Sequence, residues 1–129
     1  MDHLFVYATL RSPFTNRYAR LLAERATLLG RARIQGKLYD LGPYPGMLLS
    51  GDPEDWVIGE IYRLHDPAET LAILDDYEGA PYTRVAAQVR AEFAETVDVW
   101  VYTYNLPVTE AQRILSGDYL DRLGTAPAY

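Results

Sequence analysis

Six short segments of apolar or alternating character, set against few helical ones, predict an α+β fold: a small mixed, mainly antiparallel β-barrel or curled sheet flanked by short helices. The chain has 129 residues and no linker, repeat or low-complexity tract, so residues 1–129 read as one domain with room for a single core. About half of its residues are apolar, and its eleven tyrosines and two tryptophans fall mostly inside those segments, which argues against a disordered chain.

Residues 3–7 read as a buried strand that starts almost at the first residue. Ser12-Pro13 then has the character of an N-cap followed by proline at the first helical position. Phe14, Tyr18, Leu21, Leu22 and Arg25 follow at helical spacing, which predicts a helix to about residue 25. Over residues 30–39 the chain alternates, with Ala32, Ile34, Gly36 and Leu38 on one face and Arg31, Arg33, Gln35 and Lys37 on the other, as in a half-buried antiparallel strand. Residues 41–46 form a rigid Gly- and Pro-rich turn before a short strand at 47–49.

Residues 56–64 form another strand, with Gly59 marking either a bulge or a close approach to the backbone. Asp66-Pro67-Ala68-Glu69 combines an N-cap, a helix-starting proline and the acid of a capping box. The helix it opens should run to residue 77 or 78, where Gly79 and Pro81 stop it. Residues 83–92 and 97–104 alternate as a strand pair, joined as a hairpin through 93–96, and short closing helices are expected at 109–116 and 118–123.

A formal net charge of −6 argues against a nucleic-acid partner, which needs a concentrated basic face. Arg31, Arg33 and Lys37 read as the solvated side of a strand. The absence of cysteine excludes disulfides, thiolate catalysis and cysteine-ligated zinc. No apolar run reaches transmembrane length, and no basic region followed by an apolar stretch opens the chain. The expectation is a soluble, cytoplasmic protein without a membrane partner.

Among side chains able to do chemistry, Glu78 stands out. It lies four residues after Leu74 and seven after Leu71, so it continues the apolar stripe of its helix. Desolvation there, together with the negative end of the helix dipole, would raise its affinity for a proton. A glutamate shifted in that way can act as general base and then general acid near neutral pH. The alternative is a terminal glutamate that reaches water.

Asp76 projects to the opposite side of the helix, so Asp75, Asp76 and Glu78 cannot converge on a hard cation, whereas Asp75 is adjacent to Glu78 and could support it. His3 and His65 have no second histidine at ligand spacing, so no metal site is expected. Ser12 and Ser50 lack the context of a serine nucleophile. Tyr102 and Tyr104 share strand parity; core packing accounts for each taken alone, provided a buried hydroxyl finds a partner.

Several of these segments together resemble a known family. Phe5-Val6-Tyr7-Ala8-Thr9-Leu10-Arg11, the turn Tyr44-Pro45-Gly46, Leu74-Asp75-Asp76-Tyr77-Glu78-Gly79 with Tyr82 and Arg84, and the late strand Trp100-Val101-Tyr102-Thr103-Tyr104-Asn105 are similar, in order and spacing, to the gamma-glutamylcyclotransferase-like family, including the AIG2-like proteins. The resemblance implies a small barrel flanked by helices with a pocket at one end. It implies that the loop of Tyr7, Ala8, Thr9 and Leu10 binds a glutamyl group through backbone amides, and that Glu78 is the catalytic acid/base. The family's pocket tyrosines fall on Tyr82 and Tyr102. One departure is Ala8, where the family usually has glycine; alanine would be strained if that position needs positive φ, and acceptable if it needs only a small side chain.

The implied reaction needs no metal or organic cofactor. The α-amine of a small γ-glutamyl substrate attacks its own γ-carbonyl, closes a five-membered lactam and expels an amine, so the nucleophile is already tethered. Two other readings stay open at this stage: a non-catalytic module binding a small carboxylate-bearing metabolite in the same pocket, and a hydrolase pairing Glu60 with Glu78.

Overall fold

The computed structural model describes residues 1–8, 10–11, 14–42 and 45–120. In chain order they form β1 (His3–Val6), α1 (Arg17–Arg25), β2 (Ala26–Asp40), β3 (Pro45–Leu49), β4 (Trp56–Leu64), α2 (Pro67–Glu78), β5 (Tyr82–Ala91), β6 (Val97–Tyr104) and a 3-10 turn (Glu110–Gln112). The strands are ordered β3-β2-β4-β1-β6-β5, and β5 returns to β2, with Ala32 opposite Ala91 and Arg33 opposite Arg90. Five strands therefore close a barrel, and β3 extends the long β2. Every pairing is antiparallel except β1 with β6, where Leu4 lies opposite Trp100. This is the mixed, mainly antiparallel barrel expected from the alternation.

The alternation also explains the layering. Phe5, Ile34, Leu38, Ile61, Val99 and Val101 fill the barrel. Their neighbours Leu4, Val6, Tyr62 and Tyr102 point outward and are covered by Leu22 of α1 and by Leu71 and Leu74 of α2. Strand residues alternate faces, so each strand serves both cores at once. Gly59 marks a close approach: a Cβ there would run into the carbonyl oxygen of Val6 and lie 2.6 Å from Phe5 Cζ.

Some element boundaries differ from the sequence expectation. Ser12 and Pro13 lie outside the described residues, and α1 opens at Arg17, where the Asn16 side chain accepts from the amides of Tyr18 and Ala19. Phe14 precedes the helix and packs near Tyr119, with ring centroids 6.2 Å apart. β2 starts at Ala26, directly after α1, because a register shift against β4 between Leu28 and Gly30, where φ is +147°, absorbs the break in alternation. In the expected capping box, Asp66 accepts from the Glu69 amide, but the Glu69 carboxylate reaches across to Arg25 at 2.6 Å. The helix expected at 109–116 shrinks to one 3-10 turn, because the chain then turns back to β2: Ile114 N donates to the Leu38 carbonyl, and Arg113 bridges to Tyr39. Of the helix expected at 118–123, residues from 121 onward are outside the described set.

Among the described residues, no helix is long and apolar enough to cross a membrane.

Candidate active site

The end of β1, the C-terminus of α2 and the starts of β3 and β5 meet at one end of the barrel around a cavity of about 320 Å³. Each element arrives there for a local reason. The β1 strand stops at Val6, and the chain turns at once, the Arg11 amide donating to the Ala8 carbonyl. Helix α2 is stopped by Gly79, whose φ of +73° suits glycine and whose amide closes onto the Asp75 carbonyl. The stop falls directly after Glu78 and brings its carboxylate to the cavity wall.

Of the residues singled out by sequence, Tyr7, Ala8, Leu10, Glu78, Tyr82 and Tyr102 all line this cavity. Thr9 lies outside the described residues, as does Tyr44 of the neighbouring turn. Phe5, Val6, Pro45, Tyr77 and Pro81 complete the wall. These five were not foreseen; alternation along β1 and proximity to Glu78 hint at some of them, but the part played by Pro45 depends on a tertiary approach of β3. Glu60 is buried on β4 opposite Val6 and is not among the lining residues, so a Glu60–Glu78 carboxylate pair in this cavity gains no support.

Burial pushes the Glu78 carboxyl up from an ordinary 4.5 to about 7. No hydrogen bond or ion pair holds that carboxylate among the described residues, so its proton affinity is set by the loss of water. The phenol of Tyr7 is pushed well above its ordinary range, first by burial and then by the nearby Glu78 and Tyr82. Tyr102 is pushed upward in the same way, by burial and by its hydrogen bond to Asp75.

The tyrosine hydroxyls are committed to protein acceptors. Tyr7 donates to the Tyr102 carbonyl at 2.7 Å, Tyr82 to the Pro45 carbonyl at 2.7 Å, and Tyr102 to Asp75 Oδ1 at 2.7 Å. Asp75 is held below the usual carboxylate range, chiefly by the Arg84 guanidinium and also by Tyr102. Asp76 points elsewhere, into a groove between α1 and α2. Among the described residues that line the cavity, Glu78 is the one carboxyl, raised toward neutrality and set among neutral phenols.

Ala8 meets no backbone penalty, since no non-glycine residue among those described has positive φ. The position accepts alanine as a small residue against the barrel core.

Comparison with known proteins agrees with this architecture. The family profile described as "Gamma-glutamyl cyclotransferase, AIG2-like" matches residues 4–121. The Escherichia coli K12 protein YtfP, a gamma-glutamylcyclotransferase family protein, is 37% identical over 122 residues, spanning 92% of this chain and 96% of its own. The crystal structure of an AIG2-like protein from Mus musculus superposes with a TM-score of 0.68 at 30% identity, over 87% of this chain and 82% of that one. YkqA from Bacillus subtilis superposes with a TM-score of 0.77 at 23% identity, over 99% of this chain and 43% of that one. The present chain therefore spans under half of YkqA, and that likeness speaks to the fold alone. Profile, sequence and architecture agree, and the chain belongs to the gamma-glutamyl cyclotransferase, AIG2-like family.

Proposed function

We propose that the protein is a gamma-glutamylcyclotransferase-type enzyme that converts a small γ-glutamyl amine or γ-glutamyl amino acid to 5-oxoproline and a free amine. The observation that carries this reading is Glu78: a carboxyl opening on a cavity, with no ion-pair partner among the described residues and a pKa of about 7. A general acid/base is most effective when its pKa lies near the working pH.

The chemistry follows from the parts. The substrate folds so that its α-nitrogen approaches its γ-carbonyl carbon. Glu78 takes a proton from the α-ammonium, the new C–N bond forms, and negative charge develops on the carbonyl oxygen. Amides of the loop formed by Ala8, Thr9 and Leu10 grip the glutamyl group and can meet that charge. The old C–N bond then breaks as Glu78 delivers that proton to the leaving nitrogen. The carboxylate so regenerated takes the second proton from the new lactam nitrogen and passes it to the released amine, which leaves as its ammonium beside a neutral lactam. Proton count and charge balance without a redox partner, water or metal. Tyr7, Tyr82 and Tyr102 form the walls that hold the folded conformer.

The cavity volume of about 320 Å³ suits a glutamyl group with a small amine rather than a long peptide. A binding module without catalysis drew its sequence support from Ala8, and the ordinary backbone of that residue removes the support. The test is a panel of γ-glutamyl amines and γ-glutamyl amino acids assayed for 5-oxoproline. Release by the wild-type protein, lost in Glu78→Gln, is the expected result. No release from any member of the panel refutes the reading.

A further inference from the structure

Behind the cavity wall, Tyr102 is tied to a charged pair. Its hydroxyl donates to Asp75 Oδ1 at 2.7 Å; Arg84 Nε reaches the same oxygen at 2.8 Å, and Arg84 Nη2 reaches Oδ2 at 3.1 Å. The guanidinium is also stacked over Trp100, 4.3 Å from the ring centroid. Arg84 and Tyr102 are direct cross-strand partners on β5 and β6. The unit therefore spans both strands and the last turn of α2, and it is fixed by register rather than by long flexible surface chains.

The direction of these hydrogen bonds matters. A phenol has one proton to give, and an ionised carboxylate can only accept. Arg84 keeps Asp75 ionised well below neutral pH. The Tyr102 proton is therefore committed to Asp75, away from the cavity. With its proton given away, the phenolic oxygen keeps only acceptor capacity, and Tyr102 lines the cavity. Glu78, within electrostatic reach of the same hydroxyl, is a second acceptor once ionised. A wall presenting two acceptors suits a group carrying several N–H donors.

We infer that Asp75 is a positioning residue for amine recognition: by taking the Tyr102 proton, it turns Tyr102 into a hydrogen-bond acceptor that holds the ligand's α-amine beside Glu78. The inference rests on the γ-glutamyl reading above, because a ligand without that amine would have no use for the arrangement. Around Tyr102 the charged and titratable groups are Asp75 and Glu78 from α2, Arg84 from β5, and Tyr7 from β1, with Tyr82 beside Tyr7. Asp75 is 42% exposed in its side chain, so replacing it does not empty a core.

The test uses the full chain with L-glutamate and glutarate, probes that differ only in the α-ammonium, at pH 8. A charge-assisted hydrogen bond implies that wild-type protein binds glutamate at least about tenfold more tightly than glutarate. In Asp75→Ala the phenol proton is free to turn into the cavity. The preference for glutamate should then largely vanish, and the midpoint of Glu78, followed by carboxyl NMR, should move down, since a donor to the carboxylate favours its charged form. Asp75→Asn removes the same charge but keeps an acceptor at Oδ1, so it should retain most of the preference. Adding Tyr102→Phe to Asp75→Ala should abolish the downward move.

Absence of a glutamate preference in the wild type, an unmoved preference in Asp75→Ala, or equal effects of alanine and asparagine would each overturn the positioning role. A purely structural role would lower stability and leave both readouts in place. Turnover to 5-oxoproline reports separately on the enzymatic reading. If turnover occurs but Asp75→Ala binds like wild type, the positioning role alone fails. If the preference behaves as expected but no γ-glutamyl compound is turned over, the enzymatic reading alone fails.

Discussion

Replacing Glu78 by glutamine should make the protein more stable while removing its chemistry, and the structure sets the size and pH dependence of that gain. In the unfolded chain the carboxyl has its ordinary pKa of 4.5, whereas burial raises it to about 7 in the fold. Between those values the unfolded chain holds fewer protons than the folded one, so stability falls as pH rises through the window. Below 4.5 both states are protonated and the burial cost is absent; above 7 it is present in full. At about 1.4 kcal/mol per tenfold change in proton affinity, the cost approaches about 3 kcal/mol, and solvent reaching the half-buried carboxylate reduces it to about 2. Glutamine keeps the shape and carries no charge. Urea denaturation of both proteins at pH 4 and pH 8 should therefore show nearly equal midpoints at pH 4. At pH 8 the variant's midpoint should be higher by about 1 M, given a denaturant slope of about 2 kcal/mol/M for a chain of this size. The same variant should form no 5-oxoproline. Equal midpoints at both pH values would show that Glu78 is not desolvated, and the reasoning for its proton affinity would fall with it.

The wild-type kcat/KM should drop on the acid side of about pH 7, where Glu78 becomes protonated; the substrate ammonium titrates too, so an unchanged limb in Glu78→Asp would assign the base elsewhere. Ala8→Gly should leave turnover within about threefold and change stability by less than about 1 kcal/mol, because the alanine backbone is unstrained; a large gain in rate would show that the methyl obstructs the substrate. Gly59→Ala should lower stability by about 3 kcal/mol or more, read as a fall in Tm, since the new methyl meets the Val6 carbonyl and the Phe5 ring. Tyr7→Phe removes the hydrogen bond to the Tyr102 carbonyl and should cost about 1–2 kcal/mol in chemical denaturation; a neutral result would mean that water replaces the hydroxyl.

Much of this fold could be read from alternation, because a strand with one face in the barrel and the other under a helix repeats every two residues. β4 was bounded by Trp56 and Leu64 in sequence and structure alike, and Gly79 ends α2 where glycine was expected to end it. The failures came where tertiary contacts overrode local signals. Residues 109–116 carry a helical pattern, yet Arg113 and Ile114 pair with β2 because its edge is open to them. Glu69 has the spacing of a capping residue, yet a closer cation at Arg25 takes its carboxylate. In the site, the phase of Glu78 was legible because it needs only helix geometry. The link from Arg84 through Asp75 to Tyr102 was not, since it depends on the register of β5 against β6 and on how α2 lies across them.

The placement of β1 between β4 and β6 constrains how the molecule comes into being. Tyr7 and the Tyr102 carbonyl that it engages are 95 residues apart in sequence, so the two sides of the cavity wall are synthesised well apart in time. As the chain leaves the ribosome, β1 must wait without a complete partner set until β6 has emerged. Such long-range pairing slows folding, and a waiting apolar strand is exposed to wrong partners. Slowing translation between β4 and β6 should thus lengthen the interval in which β1 has an unpaired edge, and the soluble yield should fall with it. In this barrel the cavity is completed late, because β6 supplies part of its wall through Tyr102.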